Sequence, residues 1–284
     1  MAGGGAARIE GGPMTWHLGR LAAFDLETTG VDVENDRIVT AAVYGLGGGE
    51  PVEPHDWFVN PGVEIPAEAA RIHGITTEEA QTKGEPAPGA VDHIADVLAG
   101  YARGGAAIVG HNVAYDMTLL DRELRRYELQ TLQARLGLHP LHVIDTRVLD
   151  KHADTFRKRP SETQGPQQLI TLAQVYELPW DDDNAHGAAY DAVVAARVAY
   201  RIGTLAHMPR EDWPERIRQI KRPRYGDFCG LTLAELHARQ IDLAAEQAAG
   251  LQAHFRKSDP NAVVDGAWPL RPWVEPSTTE GAPA

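Results

Sequence analysis

The first sixty residues alternate short apolar runs with turn residues. The runs at 19–27, 37–46 and 52–60 are rich in Val, Ile, Ala and aromatic side chains. Runs of this kind, bounded by turn residues, predict β-strands. The segment "GLGGGEP" at 45–51 predicts the hairpin turn between the second and third strands. The N-terminal part of the chain is therefore expected to be a three-stranded antiparallel unit.

From residue 66 onward the apolar positions mostly follow a helical period. Helical patterns extend over about 66–72, 76–82, 88–103, 114–130, 166–178 and 188–204. Two short apolar segments, at 106–112 and within 141–149, predict two further strands. Hairpin-linked strands followed by strands that alternate with helices predict an α/β fold, with helices flanking a mixed five-stranded sheet.

The chain changes character from about residue 211. A connector rich in Trp, Pro and Arg leads into 231–257, which predicts one long helix. The apolar residues on its main stripe are Leu233, Leu236, Ile241, Ala244, Ala248, Leu251 and Phe255. We expect this stripe to pack against the preceding domain, with partner binding as the alternative. The expected organisation is a disordered lead-in (1–13), a domain (14–207) and a helical extension with a disordered tail (208–284).

Composition places the chain among ordinary globular proteins. It has 43% hydrophobic and 24% charged residues. The single cysteine, Cys229, excludes an internal disulfide framework and a CxxC zinc site. No apolar run is long enough to predict a membrane span, and "MAGGGAARIEGGP" lacks the pattern of a signal peptide. A cytoplasmic protein that does not bind membranes is expected.

The net charge limits the kind of nucleic-acid contact that is expected. The formal charge of −13 argues against a protein that coats long nucleic acids, because such surfaces are usually basic. It remains compatible with an enzyme that holds a few nucleotides at a chain end. Basic clusters at 121–127, 156–160 and 216–227 are either solvated surfaces or contact sites.

Two carboxylates interrupt the first strand, in the segment "LAAFDLETTG" at 21–30. Side chains alternate along a strand, so Asp25 and Glu27 lie on one face. Two carboxylates this close in sequence on one face of a strand repel each other, unless one is protonated or a cation lies between them. The alternative is a strand end in solvent, where both carboxylates are simply hydrated.

Two later segments add candidate site residues. Asp116 follows a strand and lies in the first turn of a helix, where ligands of open α/β sheets bind. A favourable interaction with the helix dipole is the alternative explanation. His186 precedes Asp191 by five residues, at the start of an alanine-rich helix. A histidine exchanges protons near neutral pH, so His186 is a candidate general base.

Three segments, "FDLETTG", "HNVAYD" and "HGAAYD", resemble in order and spacing the three exonuclease motifs of the DEDDh 3′–5′ exonucleases. That family includes the proofreading epsilon subunit of bacterial DNA polymerase III, ribonuclease T and oligoribonuclease. The segment "RIHGITTEEAQTKG" at 71–84 is also similar to the epsilon-type segment between the first two motifs. The resemblance covers about residues 18–205 and does not extend beyond them.

The resemblance implies a ribonuclease H-like fold and a site with two divalent ions, Mg²⁺ or Mn²⁺. The implied ligands are Asp25, Glu27, Asp116 and Asp191. His186 is the implied general base. A related family carries tyrosine four residues before the last aspartate, but Gly187 stands there in this chain, so the histidine subtype is the one resembled.

The resemblance also suggests residues that contact the substrate. These are Leu26, Thr28, Thr29, Asn112 and Tyr115. Leu26 resembles a residue that wedges against the terminal bases, with ordinary burial as the alternative. The two threonines would contact the terminal nucleotide through backbone or hydroxyl groups. Asn112 would orient its turn and Tyr115 would stack on a base. Structural roles are expected for His73 and His111. Asp145 is expected either to support the metal ligands from behind or to be structural.

The function implied is hydrolysis of phosphodiester bonds at the 3′ end of DNA, at single-stranded or mispaired ends, with release of nucleoside 5′-monophosphates in proofreading or repair. The epsilon-like segment favours DNA over RNA. An RNA-directed 3′–5′ exoribonuclease is the first alternative, and a non-catalytic adaptor is the second. The expected partners are nucleic acid 3′ ends, together with a polymerase or a second copy bound through the C-terminal helix.

Overall fold

The computed structural model describes residues 15–275 and contains one mixed six-stranded sheet, in the order β4-β3-β2-β1-β5-β6. The strands are β1 Arg20–Thr28, β2 Ile38–Gly47, β3 Glu53–Asn60, β4 Glu85–Pro86, β5 Ala107–Gly110 and β6 Val143–Asp145. The predicted α/β class is confirmed, but the predicted count of five strands is wrong by one. The additional strand, β4, pairs with Val59 and Asn60 and is too short to give an apolar pattern. The predicted lead-in and most of the predicted tail lie outside the described residues.

Strand directions change at the centre of the sheet. β1 pairs antiparallel with β2, and β2 pairs antiparallel with β3, as the hairpin pattern predicts. On its other side β1 is parallel to β5, which is parallel to β6. The carboxyl ends of these three parallel strands therefore meet at one edge of the sheet, where ligands of α/β folds bind.

Ten α-helices surround the sheet in the described part of the chain. They are α1 Ala67–His73, α2 Thr77–Lys83, α3 Ala87–Arg103, α4 Ala114–Arg126, α5 Leu132–Leu136, α6 Thr146–Ala153, α7 Leu169–Val175, α8 Ala188–His207, α9 Glu215–Arg218 and α10 Leu233–Phe255. The predicted helices are present, although α4 and α7 are shorter than predicted. The helix α6 escaped prediction because it follows β6 without a loop. Within residues 15–275, no helix has the length and apolar character needed to cross a membrane.

The core forms on both faces of the central strand. Leu21, Ala22, Ala23 and Phe24 are all buried, although successive side chains point to opposite faces. Both α3 and α8 pack against β1 and β2. The alanine-rich sequence of α8 lets its backbone approach the sheet closely, which brings the start of this helix to the edge where β1 ends.

The long helix α10 covers the outer edge of β6. The Val143 amide donates to His237 Nδ1 at 3.0 Å, and the Val143 carbonyl accepts from Gln240 Nε2 at 2.9 Å. The Asp145 amide donates to Gln240 Oε1 at 2.7 Å. Side chains of α10 thus satisfy backbone groups that another strand would otherwise pair.

The predicted apolar stripe of α10 is correct in part. Leu236 and Ala248 are buried as expected, which confirms packing against the preceding domain. Ile241, Leu251 and Phe255, however, are 43%, 41% and 45% exposed. The buried face is centred instead on the polar residue Gln240, whose hydrogen bonds to β6 turn the helix away from its apolar stripe.

Aromatic residues of the C-terminal extension join the same core. Trp213, Tyr225, Phe228 and Trp268 are buried in the hydrophobic cluster that includes the central strands. Trp268 Nε1 also donates to Asp145 Oδ2 at 3.3 Å, at the carboxyl end of β6. The extension therefore packs as part of one body with residues 15–207.

Candidate metal and nuclease site

Three of the predicted carboxylates converge at the carboxyl edge of the sheet. Asp25 and Glu27 project from the end of β1, and Asp191 lies in the first turn of α8. One carboxylate oxygen from each residue lies within 4.8 Å of the others. Residues separated by more than half of the chain thus form one acidic cluster.

The fourth predicted carboxylate, Asp116, lies against β1 in the first turn of α4. It is 4% exposed, and its Oδ1 accepts a hydrogen bond from the Leu26 amide at 3.1 Å. The structure leaves it outside the group of three that meets the 4.8 Å distance. Its charge nevertheless acts on the cluster, since it contributes to the raised pKa of Asp25.

The cluster holds more negative charge than its surroundings neutralise. Burial, followed by the charges of Asp116, Asp191 and Glu27, raises the pKa of Asp25 well above its ordinary range. Burial, Asp191 and Asp116 raise the pKa of Glu27 to about 8. Burial also raises the pKa of Asp191 to about 6, although nearby His186 acts in the opposite direction. Each of these shifts would be reversed by a cation.

The donor set of the cluster fits a hard divalent cation. Among the described residues, Asp191 Oδ1 is buried and has no hydrogen-bond partner. Buried polar atoms almost always have a partner, so this oxygen is available to a ligand. Carboxylate oxygens are the ligands that Mg²⁺ and related ions prefer. The geometry and the chemistry of the site therefore agree on a divalent metal.

His186 lies at the mouth of the acidic cluster. It precedes α8, has a left-handed φ of 61°, and is exposed to solvent. It lines a cleft of about 680 Å³ together with Asp191, which we call the upper cleft. It also lines a cleft of about 600 Å³ together with Glu27, which we call the lower cleft. A reacting group that enters by either route passes this imidazole.

The turn after β1 is tied to α4 by two of the predicted substrate residues. The Thr28 hydroxyl donates to the Gly30 carbonyl at 2.7 Å and lies 2.8 Å from the Tyr115 hydroxyl. The Tyr115 hydroxyl also donates to the Gly30 carbonyl. Burial raises the pKa of Tyr115 to about 12, so this phenol stays protonated and able to donate. Both residues fix the turn that follows Glu27, and their contacts with substrate remain predictions.

Two other predicted substrate residues are buried. The Thr29 hydroxyl donates to Asp36 Oδ1 at 2.7 Å and accepts from the Arg37 amide at 3.0 Å, and the Thr29 amide donates to the Arg37 carbonyl at 3.0 Å. Both donors of Thr29 are therefore used within the protein. Leu26 is 6% exposed, which matches the ordinary burial that the sequence left as an alternative.

Asn112 lies in the tight turn between β5 and α4. Its backbone is left-handed, with φ 62°, and its amide donates to Asp145 Oδ1 at 2.9 Å. A side chain at Gly110 would place its Cβ 2.8 Å from the Phe24 carbonyl, so only glycine lets β5 lie this close to β1. The Asn112 side chain accepts from Arg147 Nη1 at 2.6 Å. The turn is therefore held by Asp145, which agrees with the structural one of its two expected roles.

The two histidines predicted to be structural have protein partners. His111 Nδ1 lies 2.9 Å from Thr146 Oγ1, and its Nε2 lies 2.9 Å from the Gln167 carbonyl. Burial, helped by Arg147, lowers the pKa of His111 to about 4. His73 Nδ1 accepts from the Ile75 amide at 3.2 Å.

Sequence reasoning missed several residues that line the upper cleft. Arg147, Gln167 and Trp180 lie there beside Asp191 and His186. Arg147 falls within a segment that the sequence assigned to a strand, and Gln167 within one assigned to a helix. Only the basic and polar composition around these positions could have pointed to them.

Relatives of this chain are named as DNA polymerase III proteins. The DNA polymerase III PolC-type of Bacillus subtilis is 34% identical over 173 residues, which cover 61% of this chain and 11% of that protein. A DNA polymerase III subunit epsilon-like protein of Rhodobacter capsulatus is 38% identical over 105 residues, which cover 35% of this chain and 14% of that protein. The chain thus matches only a small part of the length of these relatives.

Solved structures of exonuclease I share the fold. Exonuclease I of E. coli, in complex with a dT13 oligonucleotide, superposes with a TM-score of 0.55 at 21% identity, over 66% of this chain and 41% of that one. A moderately thermophilic exonuclease I from Methylocaldum szegediense gives 0.53 at 22% identity, over 70% of this chain and 42% of that one. At these identities the similarity establishes the fold alone.

The residue pattern of the RNase T exonuclease family matches residues 22–199. The matched segment contains the whole acidic cluster, Asp116 and His186. It also covers well over half of the chain, and the resemblance to DEDDh exonucleases that the three motifs indicate is confirmed. On this evidence the chain belongs to the RNase T exonuclease family.

Proposed function

We propose that this protein is a metal-dependent 3′–5′ exonuclease that hydrolyses phosphodiester bonds at the 3′ end of DNA. The products would be nucleoside 5′-monophosphates. The observation that carries this proposal is the convergence of Asp25, Glu27 and Asp191 within 4.8 Å at the base of clefts that His186 also lines. The complete set of motif residues argues against a non-catalytic adaptor.

The proposed ligands are Asp25, Glu27, Asp116 and Asp191, and the proposed ions are two Mg²⁺ or two Mn²⁺. Such ions, when bound, supply charge neutralisation at the attacking and leaving oxygens of a phosphodiester. Without cations the buried carboxylates would repel a phosphate, so the site requires metal for substrate binding as well as for chemistry.

The proposed role of His186 is to accept the proton of the attacking water. This role is supported by the exposure of His186 and its position beside Asp191, since solvent can reach the imidazole. The left-handed backbone at His186, followed by Gly187 and the start of α8, fixes the loop from which the ring projects. Efficient proton transfer by a positioned base contributes about 10²–10⁴-fold to rate.

DNA is favoured over RNA by the relatives. The two relatives described above are named as DNA polymerase III proteins, and the E. coli exonuclease I structure contains a dT13 oligonucleotide. A proofreading or repair role, association with a polymerase and a cytoplasmic location belong to the same proposal. Preference for RNA in a direct comparison would replace this substrate assignment while leaving the hydrolytic mechanism unchanged.

The proposal is tested by turnover of labelled oligonucleotides with Mg²⁺ or Mn²⁺. Matched DNA and RNA strands with single-stranded, paired and mispaired 3′ ends are compared, and mononucleotide release is followed. Asp25→Asn and Asp191→Asn should remove most turnover, while Asp242→Asn, on the exposed face of α10, should retain it. Activity of both site variants at the level of the parent protein would overturn the site assignment.

A further inference from the structure

A third cleft continues from the upper cleft onto the C-terminal extension. Its volume is about 370 Å³, and we call it the extension groove. One wall comes from the family domain and the other from α10 and the segment that follows it. The residues that matter for its chemistry are Asn112, Tyr115, Arg147, Lys151, Trp268 and Arg271.

The extension groove and the upper cleft are continuous. Asn112, Arg147 and Gln167 line both of them. The upper cleft contains Asp191 and His186, so a strand held at the carboxylates can pass over Arg147 into the groove. Tyr115, one residue before Asp116, lines the groove as well.

The cations of the extension groove are available to an anionic ligand. Within residues 15–275, Arg147 and Lys151 donate hydrogen bonds to neutral oxygens, to Asn112 Oδ1 at 2.6 Å and to the Thr155 carbonyl at 3.2 Å. Arg271 Nε lies 3.7 Å from Asp265, a longer and partly exposed pair. Such exposed pairs contribute little and are readily exchanged for another anion.

The one buried carboxylate of the extension groove is already satisfied. Asp145 accepts hydrogen bonds from the amides of Asn112 and Arg147 and from Trp268 Nε1. The three cations of the groove, Arg147, Lys151 and Arg271, outnumber its two carboxylates, Asp145 and Asp265. The groove therefore presents net positive charge to solvent, although the chain carries −13 overall.

The opposite route out of the site has the opposite charge. Apart from the proposed metal ligand Glu27, the lower cleft is lined by two carboxylates, those of Asp56 and Glu85. A phosphodiester backbone that leaves the metal cluster by this route meets like charge, whereas the route over Arg147 meets cations. Electrostatics therefore distinguishes the two exits.

We propose that the extension groove binds the phosphodiester backbone of the strand upstream of the 3′ end. This inference rests on the proposed exonuclease function and gives the C-terminal extension a place in substrate binding. Cationic grooves that follow the backbone are a general means of holding single strands without sequence preference. Contacts upstream of the cleaved bond should strengthen the binding of longer strands and have little effect on the binding of very short ones.

The test compares binding of fluorescein-labelled dT3, dT12 and rU12 by anisotropy, in Ca²⁺ and in EDTA, so that binding is measured apart from turnover. The double variant Lys151→Gln/Arg271→Gln is compared with the control pair Arg103→Gln/Lys257→Gln, which changes charge equally on exposed residues outside the groove. The ratio of the dT12 dissociation constant to that of dT3 should rise at least about tenfold in the groove variant. The salt dependence for dT12 should fall by about 1.4 in slope, since each single-strand phosphate contact contributes about 0.7.

An unchanged ratio and salt slope in the groove variant would overturn the proposal, as would an equal change in the control pair. Equal losses for dT12 and rU12 support recognition of the backbone, whereas a loss for only one of them would contradict it. If the double variant does not fold, Lys151→Gln alone should show about half of the change in slope. Failure of the parent protein to release nucleotides would count against the exonuclease function. The anisotropy comparison would then still test, by itself, whether the extension groove binds a strand.

Discussion

Replacement of Glu27 by glutamine should stabilise the metal-free protein. The charged form of Glu27 is disfavoured by burial and by Asp191 and Asp116, which raise its pKa from 4.5 to about 8. An unfolded chain releases this proton near pH 4.5, whereas the folded chain keeps it until about pH 8. The folded state therefore loses stability relative to the unfolded state as pH rises through this window, and loses none below it.

The size of the effect follows from the two pKa values. One pKa unit corresponds to about 1.4 kcal/mol, so at pH 7 the raised pKa of Glu27 costs the metal-free fold about 3 kcal/mol. Glutamine keeps the shape of the side chain and does not titrate. Glu27→Gln should therefore raise the free energy of unfolding by up to about 3 kcal/mol at pH 7, with little change at pH 4.5.

Urea unfolding in EDTA, followed by circular dichroism at pH 4.5, 7 and 8, measures this difference. The control is Glu64→Gln, an exposed carboxylate in the loop before α1, which should change stability little at any of these pH values. With Mn²⁺ the order should reverse, because the parent protein gains binding energy that the variant has partly lost. Equal destabilisation by Glu27→Gln at pH 4.5 and pH 8 in EDTA would refute the reasoning. It would show that the ionised form of Glu27 does not destabilise the folded protein.

Three further predictions concern proton transfer, metal binding and the extension. His186→Ala should keep its Mn²⁺ affinity, measured by calorimetry, while turnover falls by about 10²–10⁴-fold; equal loss of affinity would make it a ligand instead. Mn²⁺ affinity of the parent protein should increase from pH 6 to pH 8, as Glu27, whose pKa is raised to about 8, gives up its proton; a flat profile would contradict a metal held by this carboxylate. Trp268→Phe removes the hydrogen bond to Asp145 and should lower the free energy of unfolding by about 1 kcal/mol in urea, whereas an unchanged value would show that Trp268 acts by packing alone.

The acidic cluster could be predicted from sequence because local rules place its members. Strand alternation puts Asp25 and Glu27 on one face, and the first turns of two helices put Asp116 and Asp191 near strand ends. Their convergence needed only the parallel order of β1 and β5, which the alternation of strands and helices already suggested. The motif resemblance then connected these carboxylates to His186.

The features that escaped prediction depend on contacts between distant segments. Gln240 is buried because it forms hydrogen bonds with Val143 and Asp145, about a hundred residues earlier in the chain. A glutamine within a helix gives no sequence signal for such distant contacts. Arg147 lines the groove because α6 starts without a loop after β6. Neither local propensity nor hydrophobic periodicity carries this information.

The way in which α10 finishes the sheet restricts how copies of this protein can associate. An open strand edge invites another strand, from a second copy or from an unfolding neighbour, to continue the sheet and start an aggregate. On the β6 side an intruding strand would first have to displace Gln240 and His237 from the backbone. On the other side the outermost strand is two residues long and ends in Pro86, which lacks the amide hydrogen that strand addition uses. Any assembly should therefore form through helix surfaces, such as the exposed Ile241 and Phe255 face of α10, and leave the sheet six strands wide.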